Sequence, residues 1–427
     1  MPASPSAPLA APSAVPAAVG RMLLGPSYME RRFARHGEVV PDWAPGFGRM
    51  VWLRDPQLIE QVLRSPGADL GAVGRLFGRA IGTATTLQQL SGEQHRAMRR
   101  VVVTTVRGDA LDGCRKATSA AAQRMVDACP VGTPFRLAPL LDQALSQANV
   151  QAAVSIDDPR QLRDWSAAFL ALRRSSARFP SVAHSVGLLP RYPPAARARR
   201  ACQALIRAEV TRRRRAGAAH DDALGRLLAA ESAELTDQAL SDQIVSYMFG
   251  SQTSSPATAW VIERAVRRPG VWDRIAAEAA AGGDDFPYTE AVIQEGLRLR
   301  PPITLLPWRL RRPCDLGGRL VPAGTWAVAS IWDLHRRPEV YADPEAFRPE
   351  RFLGARPPRG AWLPFGAGPH ACVASRLSFL QIREMLHALA RRGRLLPAVR
   401  RDEGIGHGSS IDTYPARGCR VVLHARP

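Results

Sequence analysis

The sequence predicts a mainly α-helical protein with small β-sheets, an α+β chain folded as one large domain. Helical patterning dominates residues 92–300, strand-like patterning is short and confined to the two ends, and no repeat or linker interrupts the chain after residue 20. With 427 residues, 46% hydrophobic and 22% charged, the chain can bury a large core, which excludes a disordered or fibrous protein.

Taken in order, residues 1–20 read as a disordered Pro/Ala-rich tail. Pro2, Pro5, Pro8, Pro12 and Pro16 forbid a helix there, and no basic segment precedes the uncharged stretch as a secretory leader would require. The folded domain is expected over 21–427. Strands are expected in 38–54 (EVVPDWAPGFGRMVWLR), in 303–330, at 394–398 and at 417–424. Between them the helical region is broken at Pro130, Pro159, Pro180, the 190–194 region and Pro269. One long helix is expected from about 236 to 267, with Leu240, Ile244 and Met248 at i+4 spacing. A sheet drawn from both ends of the chain requires a single integrated fold.

Six cysteines (Cys114, Cys129, Cys202, Cys314, Cys372, Cys419) are spread without a CxxC pair, so neither a disulfide framework nor a zinc knuckle is indicated, and a reducing cytoplasm is the expected compartment. No window offers the roughly 18 apolar residues of a membrane span. The net charge of +20 would ordinarily point to nucleic acid. Here all 58 basic residues except Lys116 are arginine, scattered rather than clustered into a groove-reading motif. The excess therefore reads as genomic bias: no nucleic-acid partner is expected, while an acidic protein partner is.

The stretch 363–382, LPFGAGPHACVASRLSFLQI, carries the chemistry. A glycine-rich turn delivers Cys372 into a helix with apolar residues at Leu377, Leu380 and Met385. A thiolate at a helix N-terminus is stabilised by the dipole and by converging backbone N–H groups, so Cys372 is expected to be an anion and a haem-iron ligand. Gly366 and Gly368 would let the backbone approach something flat, with Phe365 over the sulfur side.

On Phe365, Gly368, His370 and Cys372 the chain resembles the cytochrome P-450 family of haem-thiolate monooxygenases, with Ala374 where that family usually has glycine. The resemblance implies the family's single triangular haem-binding domain, haem b as cofactor, and a buried lock of Glu295 and Arg298 (EGLRLRPP) with Arg351 (PERF). It also implies that His95 and Arg99, at i and i+4, face the haem propionates, joined by His370. Arg309 is assigned there too, although Trp308 occupies the usual position.

In FGSQTSS the resemblance matches Gly250, which would make room for dioxygen, with Gln252 and Thr253 at the proton-steering positions. Gln252 replaces an acid and cannot titrate, leaving proton delivery to Thr253, Ser254 and water. By position, the pocket would use Leu76, Phe77, Ile81, Met248, Ile303, Leu306, Ser410 and Ile411. These residues are mostly apolar, so the expected substrate is a hydrophobic small molecule, a lipid, terpenoid or polyketide of secondary metabolism.

The implied reaction is hydroxylation with O2. Electrons would come from a separate ferredoxin and ferredoxin reductase, docking near Arg376, Arg100 and Arg115, because the chain holds no flavin motif or iron–sulfur cysteines. Gln252 keeps open oxidative coupling, desaturation, peroxide-driven oxidation, or a non-catalytic recruitment role.

Overall fold

A computed structural model of the chain describes residues 7–8 and 27–425, apart from 66, 70, 73, 76–77, 79–82, 177–191, 218–219, 231–234, 356 and 408–411. Within the stretch expected to be an unstructured tail, Ala7–Pro8 is strand β1. It pairs in parallel with Arg319 and Leu320.

The first layer combines both ends of the chain. Helix α1 (Ser27–His36) leads into hairpin strands β2 (Val39–Ala44) and β3 (Gly48–Leu53), then α2 (Pro56–Arg64) and β4 (Ala68–Asp69). The Asp55 side chain caps α2 by accepting from the backbone N–H groups of Gln57 and Leu58. Far along the sequence, β6 (Leu305–Leu310) and β9 (Trp326–Ser330) complete a five-stranded sheet ordered β2-β3-β9-β6-β4. All five residues of β9 are buried, as a central strand covered on both faces requires.

The helical layer comprises α3 (Gly92–Thr104), α4 (Asp109–Asp127), α5 (Leu137–Val154), α6 (Pro159–Ser176), α7 (Pro193–Ala216), α8 (Ala223–Leu228), α9 (Asp237–Ser251), α10 (Ser254–Ala265), α11 (Val271–Ala281) and α12 (Pro287–Leu299). Short α13 (Ile331–Leu334) and long α14 (Ser375–Arg392) follow. Strand β5 (Pro134–Arg136) joins β10 (Gly393–Pro397) and β13 (Arg420–Ala425) in a second sheet. Strands β7 (Cys314–Leu316) and β8 (Arg319–Val321) form a hairpin, as do β11 (Ile405–His407) and β12 (Thr413–Pro415).

Every residue of α10 is buried, the pattern of a helix enclosed by others. Val261, Ile262 and Ala265 pack with α5, α11, α12 and α14 in the largest core. Leu240, Ile244 and Met248 pack with α6, α7 and α8 in a second core.

The single helix expected over 236–267 is two helices. Pro256 has no N–H to offer the carbonyl of Gln252, and its ring presses on that carbonyl, so the α-helical ladder stops there. Instead the Thr253 N–H bonds to the Gly250 carbonyl at 3.3 Å, and the ladder resumes with Ala257 N–H to the Thr253 carbonyl at 3.2 Å. Among the described residues no helix is long and apolar enough to cross a membrane.

Candidate active site

The loop before α14 is folded on itself by its own backbone. Gly366 N–H bonds to the Leu363 carbonyl at 3.0 Å, Ala371 N–H to the Gly368 carbonyl at 3.1 Å, and Cys372 N–H to the Phe365 carbonyl at 2.8 Å. Gly366 and Gly368 have φ of +68° and +70°, the left-handed region that favours glycine. Phe365 packs with Trp362 and Phe379, ring centres 6.0 and 5.8 Å away. These contacts fix Cys372 immediately before α14.

Cys372 is exposed and lines a cavity of about 340 Å³. Protein around it pushes its pKa up, and the Ala374 N–H and the Arg99 charge only partly counter this. A bound metal cation is what deprotonates a thiol in such a place. Among the described residues no cluster of three or more His, Cys, Asp or Glu could hold a metal.

The same cavity is walled by Gly250, Ser251, Thr253, Ser254 and Ala257 at the α9–α10 break, and by Ile303 and Leu306. A Cβ at Gly250 would meet nothing within 4 Å, so the break leaves open space. Thr253 Oγ1 donates to the Gly250 carbonyl at 2.9 Å. Gln252 is buried and is not part of the wall; neither atom of its amide has a hydrogen-bond partner among the described residues.

Met248 is likewise corrected. It lies in the second core, and the cavity instead receives Gln243, Ile244, Ser246 and Tyr247 from the adjacent face of α9. Leu76, Phe77, Ile81, Ser410 and Ile411 lie outside the described residues.

His95 and Arg99 both face the cavity from α3, as their i, i+4 spacing requires. Arg99 Nη1 donates to the Ala371 carbonyl at 2.8 Å, tying α3 to the cysteine loop. The His95 and His370 rings stack with centres 3.8 Å apart. Burial, followed by neighbouring charges, lowers both pKa values, that of His370 to about 4, so the pair offers neutral N–H donors beside the Arg99 charge.

Arg309 is corrected outright. Alternation along β6 buries Trp308 and Leu310 and turns Arg309 outward to solvent, away from the cavity wall.

Behind the loop, Glu295 and Arg298 are fully buried and paired through two hydrogen bonds of 2.7 and 2.8 Å. Arg351 Nε reaches Glu295 at 3.1 Å, and the Arg348 N–H at 2.8 Å. Sequence reasoning missed the residue that links this lock to the cysteine. His335 bonds to the Arg298 carbonyl through Nδ1 at 3.0 Å and accepts the Leu363 N–H at Nε2, also at 3.0 Å. Accepting at Nε2 fixes the neutral Nδ1–H tautomer, in keeping with a pKa lowered to about 3 by burial. Only its place in HRRP, shortly before PERF, marked it in the sequence.

A wider groove of about 670 Å³ runs between α4 and α5, but its lining mixes alanines with charged and amide side chains and carries none of the motif residues.

An accessible thiol in an apolar cavity that is also lined by Arg99, His95, His370 and a helix break defines a haem-thiolate site: apolar walls suit a flat macrocycle, and Arg99, His95 and His370 suit its carboxylates. The cytochrome P450 family model matches residues 23–403, and the chain belongs to that family, whose members are monooxygenases. It is 30% identical to cytochrome P450 137 of Mycobacterium tuberculosis, over 95% of this chain and 87% of that protein. It is 29% identical to cyclooctat-9-en-7-ol 5-monooxygenase of Streptomyces melanosporofaciens, over 85% and 83%. Its fold matches a retinoic acid-bound cyanobacterial P450, CYP120A1, with a TM-score of 0.83 at 20% identity, over 95% and 96% of the two chains.

Proposed function

We propose that the chain hydroxylates a hydrophobic small molecule of secondary metabolism, in the cytoplasm, using O2 and electrons from a separate ferredoxin and ferredoxin reductase. The observation that carries this reading is the apolar cavity lined both by the exposed Cys372 and by the Gly250–Thr253 break. When bound, haem b supplies dioxygen activation, which an electron-rich thiolate ligand favours.

The chain's own residues do the rest. Cys372 would ligate the iron, with the Ala374 N–H steadying its sulfur, and Arg99 with His95 and His370 would hold the carboxylates. Ile303, Leu306 and Ile244 exclude water and present an apolar face to the substrate. Thr253 Oγ1, released from the Gly250 carbonyl, holds a proton at the open side of the break. The alcohol in the Streptomyces relative's name, cyclooctat-9-en-7-ol, is a hydrophobic small molecule of the kind proposed here.

Gln252 supports a second reading. Its amide is off the wall and cannot titrate, which favours oxidative coupling, desaturation or peroxide use if Thr253 and water do not suffice.

The test is the absorbance spectrum of the purified protein, reduced and exposed to carbon monoxide. The strongly red-shifted Soret band of a thiolate-ligated haem should appear in wild type and vanish in Cys372→Ala. Haem-free protein, or a band indifferent to the substitution, would overturn the reading.

A further inference from the structure

The cavity wall contributed by α9 is not uniformly apolar, and nearly all its polar side chains are already engaged. Gln243 Nε2 donates to the Thr85 carbonyl at 2.7 Å, and Ser251 Oγ donates to the Met248 carbonyl at 2.9 Å. Tyr247 faces the Cys114 sulfur at 3.9 Å. One pair is different. Ser246 Oγ donates to Gln88 Oε1 at 2.7 Å, both residues line the cavity, and the Gln88 amide N–H groups have no partner among the described residues.

We propose that Gln88 and Ser246 form a polar anchor, and that the substrate is an otherwise hydrocarbon molecule carrying a hydroxyl or carbonyl group that binds this pair. The inference rests on the cavity being the substrate site. As placed, the pair leaves two amide N–H donors and the Ser246 lone pairs for a ligand. With the amide turned over, it leaves the Gln88 oxygen, one N–H and the Ser246 hydroxyl proton. Either way, donor and acceptor stand side by side, which matches a hydroxyl completely and a carbonyl through its acceptor. A pure hydrocarbon pressed against them strips water from the donors and returns nothing.

The anchor is held in place beforehand. Asp242 accepts from the Ala84 and Thr85 N–H groups at 2.8 and 3.3 Å, fastening the segment that carries Gln88 to α9. Within that segment, Gln89 accepts from Thr86 N–H at 3.1 Å and donates to the Thr83 carbonyl at 2.8 Å. Four rigid bonds thus set the position of Gln88, so a ligand need not order the loop itself. Ser246 lies one turn before Gly250 on the same helix, about 6 Å along its axis, so the anchored oxygen is held at a fixed offset from the break.

The test is a pair of bicyclic probes of equal skeleton, decalin and 2-decalone, titrated against haem-loaded protein by the shift of the Soret band. In wild type the ketone should gain over the hydrocarbon, once both are corrected for transfer from water. Gln88→Leu and Ser246→Ala should each reduce that gain by up to about ten-fold, the worth of one neutral hydrogen bond, with decalin binding undiminished. A structural role alone would weaken both probes together. If both probes bind and neither substitution changes their ratio, the anchor is wrong and the cavity assignment stands. If neither probe perturbs the wild-type spectrum, the cavity is not the substrate site and the anchor falls with it.

Discussion

Replacing His335 by leucine removes two hydrogen bonds whose partners cannot reach water. The Leu363 N–H and the Arg298 carbonyl each bond to the imidazole at 3.0 Å, and His335, Arg298 and Leu363 are all buried. Leucine fills similar volume, so the edge packing of the ring on Tyr341 is roughly replaced and little cavity forms. The cost is then the desolvation of two orphaned backbone groups, about 1–3 kcal/mol each, or roughly 2–6 kcal/mol in all. Urea unfolding of the haem-loaded protein, followed by tryptophan fluorescence, reads this as a lower midpoint at unchanged slope. His335→Gln, which keeps a donor and an acceptor, should recover part of the loss. A His335→Leu change below about 0.5 kcal/mol would refute the claim that this imidazole joins the buried ion pair to the cysteine loop.

Other outcomes follow from the same geometry. Gln252→Met removes an amide that has no partner, so stability should stay level or rise by about 1 kcal/mol in the same urea assay; a loss above 1 kcal/mol would mean that the amide is satisfied by bound water. His335 and His387 are buried with pKa values lowered to about 3 and about 4, so below pH 6.5 the unfolded chain takes up protons that the folded chain refuses. Stability should fall by roughly 4 kcal/mol between pH 7 and 5, and a flat profile would show that these imidazoles are hydrated. Arg100 and Arg376 are exposed, whereas Arg115 is already paired with Asp112 and Asp284. Charge reversal of Arg100 and Arg376 should slow reduction by an acidic ferredoxin and flatten its salt dependence, and unchanged kinetics would remove that face from the docking surface.

What the sequence shows plainly is chemistry carried within a few residues. The loop around Cys372, the pair Glu295 and Arg298 three apart on α12, and His95 with Arg99 four apart on α3 are local strings, and each lands where its spacing puts it. Periodicity does less well at choosing between two apolar faces. Leu240, Ile244 and Met248 mark a true buried stripe, yet only Ile244 reaches the cavity, because a core wall and a cavity wall look alike in composition. Register decides Arg309: shifting attention by one residue along β6 exchanges a buried tryptophan for an outward arginine. The α9–α10 break is missed: one helix is expected over 236–267, although Pro256 within it marks the stop. His335, Gln88 and Ser246 are not legible, since each works through a partner far away in sequence: Leu363, Ser246 and Gln88 respectively.

The buried charges behind the cysteine are best understood through the backbone they serve. Between α13 and α14 the chain runs from 335 to 374 with, among the described residues, two short 3₁₀ turns, Pro349–Phe352 and Gly368–His370. Where such a stretch runs against the core without a helix or sheet, its inward carbonyls need donors. Arg298 supplies them. All five of its N–H groups are used, two on Glu295 and three on the carbonyls of His335, Pro344 and Ala346, at 2.7–3.2 Å. Arg351 adds bonds to the carbonyls of Ala342, Asp343 and Ala346. Glu295 is then the counter-charge that lets two guanidinium groups sit side by side in the interior. A lysine at 298 would bring three donors on a flexible stem and could not span the same carbonyls. The trio therefore takes the place of a sheet, gathering an irregular stretch onto α12, and His335 extends the hold to Leu363, where the loop that presents Cys372 begins.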